Sequence, residues 1–77
     1  MTRFSEPDQL AVTVNGVAST LTRGTTLGQL LAQLGIAPER VAVEVNLLVI
    51  ERSAFHAQAL EHGDRVEIVS FVGGGHG

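Results

Sequence analysis

The chain contains three histidines, His56, His62 and His76, and no cysteine. An imidazole can serve as a general base beside a nucleophile or join carboxylates around a metal, but these three fall in no spacing that suits either task. They read as solvated surface side chains. The missing thiols exclude a zinc–thiolate site, an iron–sulfur cluster and a disulfide framework, and leave hydroxyls as the side-chain nucleophiles. Gly73-Gly74-Gly75 is not a phosphate loop, because no helix can follow it and the chain has no lysine. An enzyme active site is therefore not expected. What remains is the tail itself, where a segment of strong β propensity runs straight into Gly73, Gly74, Gly75, His76 and Gly77. Glycine lacks a Cβ, so such an end is the thinnest peptide available, able to enter a narrow channel and offer its carboxylate to another protein's active site. The same composition also suits a frayed end or an inert linker.

Eight acids stand against five bases, a net charge of −3, and every base is an arginine: Arg3, Arg23, Arg40, Arg52 and Arg65. They are spread singly and make no basic stripe, and only three phenylalanines could stack on bases, so nucleic-acid binding is not expected. A basic partner surface is mildly favoured. No apolar run approaches the ~20 residues of a membrane span, and the N-terminus lacks a signal-peptide core, which points to a soluble, cytoplasmic chain without a membrane partner.

At 77 residues the chain has matter for one small domain. Residues 1–8, with Ser5, Glu6, Pro7 and Asp8 and no apolar period, read as a flexible leader; 9–72 as the domain; 73–77 as a flexible glycine-rich tail. Leu10, Val12 and Val14 alternate with polar or small residues, and Asn15-Gly16 separates them from Val17 to Leu21, which predicts a β-hairpin. Thr26-Leu27-Gly28-Gln29 matches a capping box, and Leu27, Leu30, Leu31 and Leu34 recur on one helical face before Gly35, a natural left-handed cap. That predicts a helix of about two and a half turns. Pro38 blocks its continuation; Val41, Val43 and Val45 then alternate as a strand. Leu47 to Ile50 suggests a turn and a short strand, and 53–60 a loop with a helical turn around Ala54 to His56. Gly63-Asp64 leads into a last strand from Arg65 to Val72.

The order ββαβ(β)β can bury the leucine stripe only by laying the helix over one face of a mixed sheet. The expected fold is α+β: a β-grasp with four to five strands, one main helix packed on one face, and the first and last strands parallel at the centre. Leu27, Leu30, Leu31 and Leu34 should pack on Val12, Val14, Val43, Val45, Val66 and Ile68. Strand alternation places Val69 and Phe71 on the opposite, wetter face, beside the tail.

A β-grasp with Val12-Thr13-Val14-Asn15-Gly16, Thr26-Leu27 opening the helix, Val41-Ala42-Val43-Glu44-Val45-Asn46, Arg52-Ser53, and Gly63 to Val69 before Phe71-Val72-Gly73-Gly74-Gly75 resembles the ThiS family. These are the ubiquitin-like sulfur carriers of thiamine biosynthesis. The resemblance covers about residues 10 to 75 and is specific in combination. The related MoaD carriers, which serve molybdopterin, end in Pro-Pro-Val-x-Gly-Gly, and Ser70-Phe71-Val72 fits ThiS better. A carrier for another sulfur pathway and a binding module with an inert tail stay open as alternatives.

The resemblance implies that the terminal glycine carboxylate is adenylated by a ThiF-like enzyme using ATP. Sulfur from a donor such as a cysteine desulfurase then displaces AMP, and the thiocarboxylate supplies a thiazole synthase. The carrier itself would be a co-substrate, not an enzyme, and would hold no cofactor or metal. Gly75 is the implied reacting residue, or Gly77 if nothing is trimmed, with Gly73 and Gly74 as the threaded tail and Val69 and Phe71 as the docking patch for the activating enzyme. His76-Gly77 extends past the family pattern. Some relatives carry extra residues that a metalloprotease removes; here either the same trimming comes first, or the activating enzyme tolerates the two residues, or the end is not the native one.

Overall fold

The computed structural model describes residues 8–71. The elements are β1 (Gln9–Val14), β2 (Val17–Thr22), α1 (Leu27–Gln33), β3 (Val41–Val45), β4 (Leu48–Ile50) and β5 (Arg65–Ser70), with single 3-10 turns at Pro38–Arg40 and Arg52–Ala54. One sheet runs β2-β1-β5-β3-β4. β1 and β5 are parallel at its centre and the other neighbours antiparallel, so the fold is the β-grasp that the element order requires.

The hairpin turns at Asn15 and Gly16, with φ of 50° and 83°, the left-handed pair whose twist matches that of the flanking strands. α1 begins with a complete capping box: the Gln29 N–H donates to Thr26 Oγ1 at 3.2 Å and the Thr26 N–H to Gln29 Oε1 at 2.9 Å. The two N–H groups that the box leaves over are also satisfied, Leu27 donating to the Gln58 carbonyl (2.8 Å) and Gly28 to the Phe55 carbonyl (3.0 Å). Each end of a helix exposes unpaired backbone groups, and here a loop about thirty residues downstream covers them. At the other end Gly35 takes φ of 73°, its N–H bonding to Ala32 and that of Ile36 to Leu31, which closes the helix with the two bonds of a Schellman motif.

The helix has seven residues, about two turns, shorter than its leucine spacing suggests. Leu27, Leu30 and Leu31 are buried, but Leu34 is 49% exposed. This corrects the four-leucine stripe: Leu34 is the C-cap, and the chain turns away at Gly35 before that side chain can reach the sheet. Of the expected sheet partners Val12, Val43, Val45 and Val66 are buried, while Val14 and Ile68 are half-buried against the same core. Leu10, Leu21, Val41, Phe55 and Leu60 complete it. Phe55 and Leu60 come from the segment read as a loop, whose 3-10 turn lies at Arg52–Ala54 and so starts two residues early.

The strand ends also differ from those expected. The Arg23 N–H donates to the Asp8 carbonyl (2.8 Å), so pairing begins at Asp8, one residue inside the expected leader. β5 ends at Ser70, and Phe71 stays attached through its N–H to the Arg40 carbonyl (2.9 Å). Residues 1–7 and 72–77, including Val72, Gly73, Gly74, Gly75, His76 and Gly77, lie outside the described residues.

β5 reaches β1 only at Thr13 and Val14, which leaves Ala11 without a strand on that side. Gly63 fills the gap by donating its N–H to the Ala11 carbonyl (2.7 Å), and the Ala11 N–H donates to His62 Nδ1 (3.1 Å). His62 is exposed, yet it serves as a strand substitute. His62→Ala is expected to cost about 1 kcal/mol, one net hydrogen bond, whereas His62→Asn, whose Oδ1 can occupy the place of Nδ1, should melt within about 0.5 kcal/mol of the parent. Chemical denaturation of both variants checks this.

Candidate functional site

The candidate site is built by the last strand. Val66 is fully buried and Ile68 packs on the core, so alternation turns Glu67, Val69 and Phe71 to the face away from the helix. Val69 and Phe71 are 61% and 60% exposed. Across the ladder Val69 faces Ala42 and Glu67 faces Glu44, while Phe71 is tied to Arg40. An apolar strip of Ala42, Val69 and Phe71 therefore lies beside two directly opposed carboxylates on the outer face of β5 and β3. Opposed like charges cost stability in the free protein, and a basic side chain from outside would relieve them.

Two asparagines fix the register of β5. Asn15 projects its side-chain amide along the strand as a false backbone: Nδ2 donates to the Ile68 carbonyl (3.1 Å), and the Ile68 N–H donates to Oδ1 (2.6 Å). At the opposite end the Asn46 N–H donates to the Arg65 carbonyl (2.8 Å), the Arg65 N–H donates to Asn46 Oδ1 (3.0 Å), and Asn46 Nδ2 donates to Asp64 Oδ1 (2.9 Å). Asp64 Oδ2 accepts the Glu61 N–H at 2.7 Å. Both turns are thus buttoned to the strand that carries the tail, which holds Val69 and Phe71 at a set height. Nothing in the sequence beyond the Val-Asn repeat hints at these bonds.

Among the described residues no group of three or more histidine, aspartate or glutamate side chains could hold a metal ion. His56 and His62 are both exposed and lie on different segments, His56 beside Phe55 and His62 against β1. No described helix is long and apolar enough to cross a membrane.

A family model described as the ThiS family matches residues 12–75, from the first strand through the third glycine of the tail. The chain belongs to the ThiS family. The crystal structure of a thiamine biosynthesis protein (ThiS) from Geobacter metallireducens superposes with a TM-score of 0.74 at 42% identity, covering 86% of this chain and 100% of that one. A thiazole synthase from Magnetococcus marinus is 44% identical over 66 residues, and one from Paramagnetospirillum magneticum is 36% identical over the same length; each alignment covers 86% of this chain and 20% of the relative. The chain thus spans about a fifth of the length of those two curated relatives. Of the ThiS-like site residues expected from sequence, the structure brings Val69 and Phe71 onto one exposed strip; Gly73, Gly74, Gly75 and Gly77 lie outside the described residues.

Proposed function

We propose that this protein is the sulfur carrier for thiazole formation in thiamine biosynthesis, a co-substrate that contributes no catalytic side chain. The observation that carries the reading is the ThiS-family match through Gly75, on a chain that β5 delivers past an exposed apolar strip. The tail carboxylate attacks the α-phosphorus of ATP on a ThiF-like enzyme, releasing pyrophosphate and leaving an acyl-adenylate. The terminal sulfur of a persulfide donor, loaded by a cysteine desulfurase, displaces AMP to give an acyl disulfide, and a second thiol then cleaves that S–S bond and departs as a disulfide. The resulting thiocarboxylate is ionised at neutral pH and is a strong sulfur nucleophile toward the substrate of a thiazole synthase. That relatives named thiazole synthase contain a matching segment of similar length supports this last partner.

The adenylation step supplies what a carboxylate lacks, a leaving group. The test is the intact mass of the purified chain after incubation with ATP, the activating enzyme and a sulfur source: exchange of one oxygen for sulfur is expected, and an unchanged mass with an enzyme proven active on another carrier would remove the reading.

In the same reading, Ala42, Val69 and Phe71 dock the activating enzyme, and Glu44 and Glu67 favour a basic residue on it. Phe71→Asp should leave the melting temperature within a few degrees of the parent, since the side chain is largely exposed. It should lower the rate of ATP–pyrophosphate exchange by about tenfold or more, the scale of an interface anchor. Unchanged exchange would show that the strip is not the docking surface.

A further inference from the structure

A second surface lies at the opposite end of β5 from the tail. The turn between β3 and β4 is made by Asn46 and Leu47, with φ of 54° and 72°. Glycine is the usual residue at the second position of such a turn, and a leucine there carries backbone strain. Leu47 is 70% exposed, so it gives nothing to the core in return; Leu48 and Val49 follow at 68% and 70%. Strain held at an exposed apolar residue is a sign of use.

The strand after this turn is a sheet edge. The pairs Val45–Leu48 and Val43–Ile50 hold the positions that exchange backbone hydrogen bonds beside a two-residue turn, so the intervening Glu44–Val49 pair does not, and the N–H and C=O of Val49 point out of the sheet. Leu48 and Ile50 share the helix-side face with Val45 and line an open groove of about 310 Å³, bounded across from them by Gln58, Ala59, Glu61 and Asp64. The surroundings are net acidic: Glu44 faces Val49, Glu51 follows Ile50, and Glu61 and Asp64 line the groove, against Arg52 and Arg65 on the adjoining segments.

We propose that the β4 edge is a strand-addition site for an extended segment of a partner protein in which apolar and basic residues alternate. The segment pairs its backbone with Val49, sends apolar side chains into the groove beside Leu48 and Ile50, and turns basic ones toward Glu51. Asn46 is fastened to Arg65 at the start of β5, whereas Phe71 follows its end, so the turn beside this edge and the Val69–Phe71 strip lie toward opposite ends of the strand. The proposal stands on its own and does not depend on the carrier reading.

The test titrates the isotope-labelled full-length chain with the acetylated peptide amide TVRVRVT and, as control, TVEVEVT, following backbone amide resonances. Shifts confined to Leu47–Glu51 and Gln58–Glu61 are expected with the arginine peptide only. Val49→Pro removes the outward N–H at a position that needs none for the fold and should weaken binding about tenfold, one backbone hydrogen bond with its neighbours. Leu47→Gly should weaken binding about fivefold while raising the melting temperature, because the strain goes with the side chain. Absence of shifts at millimolar peptide, shifts at Val69–Phe71 instead, equal binding of the acidic peptide, or full affinity in Val49→Pro would each overturn the proposal. So would a dimer that Val49→Pro dissociates in a chain that ignores the peptide, since the occupant would then be a second copy.

Discussion

Leu31→Ala is expected to leave the protein close to unfolded at room temperature. Leu31 is fully buried, and its backbone carbonyl also accepts the Ile36 N–H that closes the helix. Removing a buried leucine side chain costs roughly 2–5 kcal/mol, the transfer term plus the cavity left behind. A domain of this size has only about 4–12 kcal/mol in total at roughly 0.05–0.15 kcal/mol per residue. The helix has two turns and one sheet face to rest on, so the site has little freedom to collapse around the gap. Leu34→Ala is the internal control: the same chemical change one turn later, at a half-exposed cap, should cost less than about 1 kcal/mol. Urea denaturation of both variants measures the contrast, and equal losses would mean that the helix presents a different face to the sheet.

The second large effect is on activation. A variant ending at Gly75 is expected to be adenylated about a hundredfold or more faster than the 77-residue chain in a purified system without protease, because a channel shaped for glycine must otherwise admit the His76 ring. Loss of fit together with an imperfectly paired imidazole is worth several kcal/mol in a bound state, and about 1.4 kcal/mol corresponds to each tenfold. The family match ends at Gly75, which motivates the choice of residue. Sulfur should then be found on Gly75 in cells that hold the trimming metalloprotease. Equal rates for the two forms, with sulfur on Gly77, would show that the activating enzyme accepts the longer end.

Both results bear on how a small carrier divides its labour. Stability rests on one layer of apolar side chains between α1 and the sheet, and the opposite face of β5, proposed above as the docking surface, stays exposed. The turn asparagines separate the two tasks. By bonding to Ile68 and Arg65 they hold β5 in place from its edges, so Val69 and Phe71 can stay exposed at no cost to the core.

The sequence by itself determined the elements whose signals are local. The Asn15-Gly16 hairpin, the capping box at Thr26, the left-handed Gly35 and the alternation that turns Val69 and Phe71 outward each depend on a few neighbouring residues, and each has its expected form. Given those elements, the β-grasp is the one way to bury the helix, so the fold was legible too. The tertiary structure alone decided where the apolar surface ends and what joins the parts. Leu34 obeys the helical period but lies past the last turn that has sheet beneath it. Phe55 and Leu60 show no period, because their segment is shaped by bonds to the start of α1, with Phe55 and Gln58 carbonyls taking the Gly28 and Leu27 N–H groups and the Leu60 N–H reaching the Thr25 carbonyl (3.0 Å). His62 becomes a strand substitute only because β5 stops short of Ala11. Such contacts join residues tens of positions apart, and their energy depends on distance in space, which no local pattern of residue types records.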